Sequence, residues 1–171
     1  MAAPPSLTFV LGGARSGKSL HAETLIRRHA GPWYYVATAQ AFDAEMTDRI
    51  AEHRARRPEG WHTVEAPRDL AATLRGLPEG APVLVDCLTL WLSNLLLAEA
   101  DLEAEAAALA EILARPRGPW VVVSNEVGLG IVPENALARR FRDAAGRLNQ
   151  TVAARADHVL MMVAGLPLSL R

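Results

Sequence analysis

A 171-residue α/β fold, with a mostly parallel sheet covered by helices on both faces, is what this sequence predicts. Three observations carry that expectation. Short runs such as Val83-Leu84-Val85 and Trp120-Val121-Val122-Val123 are apolar without alternation, as strands buried on both faces must be. Helical patterns separate these runs one by one, the order that builds crossover units. The first run, Leu7 to Leu11, ends on Gly12-Gly13 and leads directly into a helical stretch.

The elements follow in order. After the strand Leu7 to Leu11, Ser19 to His29 reads as a helix with Leu20, Leu25 and Ile26 as core contacts. Gly31-Pro32 sets off a second strand, Trp33 to Ala37. Asp43 to Arg57 is helical, with Met46, Ile50 and His53 recurring on one face. Trp61 to Glu65 is a short strand, and Pro67 to Gly76 a short helix opened by proline. Pro82 to Asp86 is a buried strand. Leu88 to Ala114 is helical with a break near Asp101, and Trp120 to Ser124 is a further strand. A glycine-containing loop leads to a long helix, Glu134 to Ala154. His158 to Val163 and a short terminal run, Leu168 to Leu170, complete the sheet. No repeat or low-complexity linker divides the chain, so residues 1–171 are expected to form one domain, preceded by a short extension at 1–6.

Composition narrows the function classes. Half the residues are hydrophobic and the formal net charge is −1, unlike the strongly basic balance of a protein that coats nucleic acid. A single cysteine, Cys87, excludes an intrachain disulfide framework and suits a reducing cytoplasm. The opening MAAPPS is too short and proline-rich for a signal peptide. No apolar run reaches the roughly 18 residues that cross a bilayer. A cytoplasmic protein without a membrane span is therefore expected. Of 18 basic residues 17 are arginine, and the one lysine is Lys18. A position that keeps lysine against that bias calls for a compact ammonium rather than a planar fork.

Lys18 falls inside the most informative local pattern. Gly12-Gly13-Ala14-Arg15-Ser16-Gly17-Lys18-Ser19 satisfies G-x-x-x-x-G-K-[ST], between a strand and a helix. Such a loop turns backbone N–H groups toward phosphate oxygens at a helix N-terminus. Lys18 is placed to reach the β and γ phosphates, and the Ser19 hydroxyl to ligate Mg²⁺. Asp86 ends an apolar strand where ligands bind in parallel sheets, so it is either a second Mg²⁺ ligand or a helix N-cap. His53 is either an inner-face histidine or a reactive group, and Arg49, Arg54, Arg56 and Arg57 surround it with charge suited to a triphosphate. Ser124-Asn125-Glu126 closes the Trp120 strand as either a polar turn or a site edge.

These segments resemble a known family. GGARSGKS at 12–19, Tyr35 to Pro67 with its H-R-x-x-R-P stretch at 53–58, Val83 to Leu96, and Val122 to Asp157 are similar to the bifunctional adenosylcobinamide kinase/adenosylcobinamide-phosphate guanylyltransferases of cobalamin biosynthesis. The resemblance implies a RecA-like P-loop fold assembled as a homotrimer. It implies phosphorylation of adenosylcobinamide by GTP or ATP, then transfer of GMP from GTP to the new phosphate, with release of pyrophosphate. His53 takes the place of the residue that carries GMP, and Glu52 stands where some relatives have a second histidine. Thr38, Ala39, Gln40, Arg54, Ala55, Arg56, Arg57, Glu65 and Asp86 take nucleotide-binding places beside the P-loop. Two other classes stay open on the residues alone: a plain P-loop kinase in which His53 is structural, and a nucleotide-driven switch or assembly ATPase.

Overall fold

The computed structural model describes residues 4–171, so Met1 to Ala3 of the expected extension lie outside the described residues. Seven strands form one sheet in the order β3-β2-β4-β5-β1-β6-β7. They are β1 (Ser6–Gly12), β2 (Trp33–Ala37), β3 (Trp61–Glu65), β4 (Val83–Asp86), β5 (Pro119–Asn125), β6 (His158–Val163) and β7 (Leu166–Ser169). All pairings are parallel except β6 with β7, a terminal antiparallel hairpin. The helices are α1 (Lys18–Ile26), α2 (Ala44–Arg56), α3 (Leu70–Gly76), α4 (Leu88–Leu97), α5 (Leu102–Leu113) and α6 (Ala136–Ala153). Ser6, assigned to the extension on sequence, opens β1 opposite Pro119.

Alternate residues of each strand feed two cores. Leu7, Phe9, Val83, Val85, Trp120 and Val122 face a large cluster under α3 to α6. Val10, Leu84, Val121 and Val123 face a smaller one built with Ala22 and Ile26 of α1. This is why the strands read as continuous apolar runs.

Several local expectations shift. In α1 the buried stripe is Lys18, Ala22, Glu23 and Ile26. Leu20 is 60% exposed because it lies off that stripe, so it is not a core contact. The Leu88 to Ala114 stretch is two helices. Glu99 turns left-handed at φ 54°, and Asp101 caps α5 by accepting from the N–H groups of Glu103 and Ala104. α3 starts at Leu70 rather than Pro67. The carbonyls of Pro67 and Arg68 instead accept from Asn94 Nδ2 (2.9 Å) and Trp91 Nε1 (2.7 Å) of α4.

α4 is apolar nearly all round because the chain itself covers it. The sheet lies on one side, α5 and α6 lie on the other, and Leu88, Trp91, Leu92, Leu95 and Leu96 are buried. Leu97, at the end of the helix, stays 63% exposed. Trp91 is fully buried and its indole N–H is bonded. Replacing it with alanine opens a cavity and removes one of the two hydrogen bonds to the Arg68 carbonyl, leaving that from the Leu70 N–H. Trp91→Ala is expected to cost about 3–5 kcal/mol of stability, read by chemical denaturation.

Candidate functional site

Parallel register gathers the carboxyl ends of the strands. Gly12 pairs with Asn125, Asp86 with Val123, and Ala37 with both Asp86 and Glu65. The phosphate loop leaves this edge. A Cβ at Gly12 would sit 2.6 Å from Ser16 Oγ and 2.8 Å from the Met162 carbonyl oxygen, so only glycine fits there. Gly17 caps α1 at φ 93°, a left-handed conformation that glycine adopts without strain. No side chain caps α1 and no acid lies in its first turn, leaving its first N–H groups to an anion. Lys18 is buried at the head of α1, and its ammonium donates to the Gly13 carbonyl and lies 3.4 Å from Ser16 Oγ. Burial pushes its pKa down, while the Cys87 thiol and the Asp86 carboxylate beside it oppose that shift.

A cavity of 240 Å³ opens at the same edge between α2 and the ends of β2, β3, β4 and β5. A larger groove of 630 Å³ between α5 and α6 contains neither the phosphate loop nor a strand end, so size alone does not locate the site. The 240 Å³ cavity brings together His53, Arg54, Arg57, Glu65, Asp86 and Ala39 of the residues marked on sequence. It leaves Ala55, Arg56, Thr38, Gln40 and the loop from Gly12 to Ser19 outside its lining.

Asp86 is not the N-cap of α4: that position belongs to Cys87. Its carboxylate accepts from the Tyr35 hydroxyl at 2.9 Å. Burial beside that carboxylate pushes the phenol far above its ordinary range, so Tyr35 stays a donor. His53 is half-buried, and among the described residues no hydrogen bond ties its imidazole. Burial lowers its pKa, opposed by Asp86 and reinforced by Arg56, Arg57 and Arg49. The imidazole is thus neutral at neutral pH, with a ring nitrogen free to act as nucleophile.

Thr38 serves the site from beneath. Fully buried, its hydroxyl donates to the Cys87 carbonyl (2.6 Å) and accepts from the Cys87 N–H (2.9 Å). The Ser124-Asn125-Glu126 alternatives divide by residue. Ser124 is buried against Thr89, Asn125 lines the cavity, and Glu126 accepts from the Gly128 N–H in a turn. Sequence reasoning missed Tyr35, Thr89 and Asn94. Thr89 accepts from the Asn125 N–H at 2.7 Å, and Asn94 donates to the Thr38 and Pro67 carbonyls. For Thr89 and Asn94 the available signal was a polar side chain inside the Leu-rich α4.

Comparison with known proteins agrees with this geometry. A family model described as cobinamide kinase / cobinamide phosphate guanyltransferase matches residues 8–170. A bifunctional adenosylcobalamin biosynthesis protein of Pseudomonas aeruginosa is 54% identical over 166 residues, covering 95% of this chain and 96% of that protein. One of the same description from Salmonella typhimurium is 41% identical over 182 residues, covering 96% and 99%. Among solved structures, the assembled ATPase EscN of the enteropathogenic E. coli type III secretion system matches with a TM-score of 0.58. That match is 11% identical and covers 94% of this chain and 43% of that one, a likeness of fold alone. A P-loop fold, a histidine-bearing strand-edge cavity and near-full-length identity to two such proteins lead to one conclusion: the chain belongs to the cobinamide kinase / cobinamide phosphate guanyltransferase family and is an enzyme of that kind.

Proposed function

We propose that this enzyme phosphorylates the terminal hydroxyl of adenosylcobinamide with GTP or ATP and then transfers GMP from GTP to that phosphate through His53. The observation that carries the covalent step is the half-buried, untethered imidazole of His53, facing Asp86 from a helix studded with arginine. In the first reaction the acceptor hydroxyl oxygen attacks the γ-phosphorus and the nucleoside diphosphate leaves. In the second, an imidazole nitrogen attacks the α-phosphorus of GTP, a P–N bond forms, and the P–O bond to pyrophosphate breaks. A phosphate oxygen of the acceptor then attacks the same phosphorus, which frees His53. Splitting one displacement into two lets each proceed with a better-placed nucleophile.

Lys18 and the N–H groups of the loop hold the β and γ phosphates in both reactions, where negative charge develops on the departing group. Ser19 and Asp86 offer a hydroxyl and a carboxylate, hard oxygen donors that suit Mg²⁺ with waters in its remaining positions. Asp86 lies within electrostatic reach of Lys18, the residue before Ser19, which fits that pair to one ion. Bound there, Mg²⁺ supplies charge neutralisation to the phosphates.

The functional unit we infer is a homotrimer. Among the described residues the bare apolar surface includes the loop at Leu129 to Val132, β7 at Leu166 and Leu168, and Leu97 at the end of α4. Ile131 is 97% exposed. Clustered bare aliphatic side chains, as at Leu129, Ile131 and Val132, mark an association site. Light scattering at micromolar concentration is expected to give three times the chain mass, and a monomer would refute the assembly.

Lys18→Ala is expected to lower both half-reactions about a hundred-fold or more, as loss of a transition-state charge partner does. Lys18→Arg should not restore either, because a planar fork replaces a compact ammonium that fits against the Gly13 carbonyl. Near-parental activity of the arginine variant would remove the argument from the lone lysine.

With α-³²P-GTP, label is expected to stay with the denatured protein, to be lost in acid and kept in alkali, and to vanish in His53→Ala. Phosphorylation of adenosylcobinamide persists in that variant, since γ-transfer needs no imidazole nucleophile. Because burial lowers the His53 pKa, adduct formation should persist as pH falls below 6.5, its acid limb lying under the ordinary histidine value. An alkali-labile adduct would place the nucleophile on a carboxylate, and an unlabelled parent protein would leave a plain kinase.

A further inference from the structure

Glu23 has no part in the chemistry above, yet it is among the most unusual side chains in the fold. It lies on α1, only 7% exposed, in the same buried stripe as Lys18. Its Oε1 is buried and accepts no hydrogen bond. Burying a carboxylate oxygen without a donor is costly unless opposite charge compensates. That charge comes from α2: Arg56 Nη2 stands 4.0 Å from Glu23 Oε1, and Arg57 lies within electrostatic reach. Arg57 carries the complementary defect, since its Nη1 is also buried without a partner.

α2 itself buries no residue, so it has no apolar stripe seated in the core. Polar contacts made by its last turn and its C-cap hold it to the domain. Arg54 meets Glu65 at 3.0 Å, with side chains 55% and 74% exposed, a pair that water screens strongly. Arg57 lies 3.7 Å over the Tyr35 ring and 3.5 Å from Thr63 Oγ1. Of the two carboxylates that meet these arginines, Glu23 is the buried one, and there a charge acts most strongly. It is also the only one of these anchors on the helix that begins at Lys18.

We propose that Glu23 is a positioning residue for the guanylyl-transfer nucleophile, gripping Arg56 and Arg57 so that His53 is held in register with the phosphate-binding helix. His53 and Arg56 are three residues apart on one helix face, so fixing Arg56 fixes the roll of α2 at His53. Glu23 sits five residues beyond Lys18, about 7.5 Å along the axis of α1. The distance from nucleophile to phosphate site is thereby set through one buried carboxylate. Burial raises the Glu23 pKa, and Arg56, Arg57 and Arg27 oppose that rise while Asp86 adds to it. The arginines thus favour the ionised form that grips them. The inference rests on His53 as the GMP carrier.

Glu23→Gln keeps the shape and removes the charge. In single-turnover measurements on the full-length protein with α-³²P-GTP, its adduct formation is expected to slow by about tenfold or more. Phosphorylation of the acceptor is expected to stay within about threefold, because γ-transfer does not pass through His53. Arg56→Met should slow adduct formation likewise, and the double variant should be no slower than the poorer single one. Equal loss of both reactions with loss of GTP affinity would make Glu23 a support of the phosphate loop instead and overturn the proposal. Adduct formation within about threefold of the parent, or additive effects in the double variant, would overturn it too. If Glu23→Gln fails to fold, Arg56→Met, at a side chain 49% exposed, decides the matter by the adduct rate at saturating GTP, which weakened nucleotide binding does not lower. A parent protein that takes no label overturns the reading of His53 and this proposal with it, an outcome distinct from a labelled parent indifferent to Glu23.

Discussion

Parallel pairing from β3 through β2, β4, β5 and β1 to β6 forces each crossover to return over a sheet face, and it collects the strand ends at one edge. That constraint accounts for the two unequal cores, for the strands that are apolar on both sides, and for the position of the site. Ala37 is flanked by Glu65 and Asp86, so those carboxylates stand two strands apart, about 10 Å at ordinary strand spacing. The register puts Gly12 beside Asn125, so the phosphate loop starts where the cavity ends. The edge also leaves polar backbone groups to be satisfied, and α4 does this work. Thr89 bonds the Asn125 N–H, Asn94 bonds the Thr38 and Pro67 carbonyls, and Thr38 closes both polar groups of Cys87.

The two halves of the site are held by different forces. The phosphate loop belongs to the core: Gly12 is packed against Met162 and Ser16, and α1 is anchored by Ala22 and Ile26. α2 is anchored by charge, through arginines that meet Glu65, Glu23 and Tyr35. A phosphate cradle built into the core beside a histidine on a charge-seated helix suits an enzyme that is both a kinase and a guanyltransferase. In the proposed scheme the cradle serves both reactions and His53 serves one.

His53 and Lys18 illustrate how one environment sets two ionisable groups. Burial depresses both, and Asp86 opposes the shift in both. For lysine, whose ordinary value is 10.5, a lowered pKa leaves a cation over a wide range. For histidine, at 6.5, the same pressure leaves a neutral ring at neutral pH. One residue therefore supplies charge and the other a lone pair.

Sequence by itself determined the fold class, nearly every element, and the phosphate loop. Unalternating apolar strands and the G-x-x-x-x-G-K-[ST] spacing are local patterns, written within a few consecutive residues. The resemblance carried His53, Glu65 and Asp86 to their places in the same way, position by position. Tertiary structure alone decided which apolar surface is core. Leu20 faces out because α1 turns its Ala22 stripe inward, and most of α4 is covered by α5, α6 and the sheet. It also decided that Tyr35 holds Asp86 from 51 positions away, that Asn94 ties two loops, and that Glu23 meets the arginines of α2. Such pairings depend on which strands become neighbours and how each helix is rolled against the sheet. Those are properties of packing between distant segments, which no local spacing records.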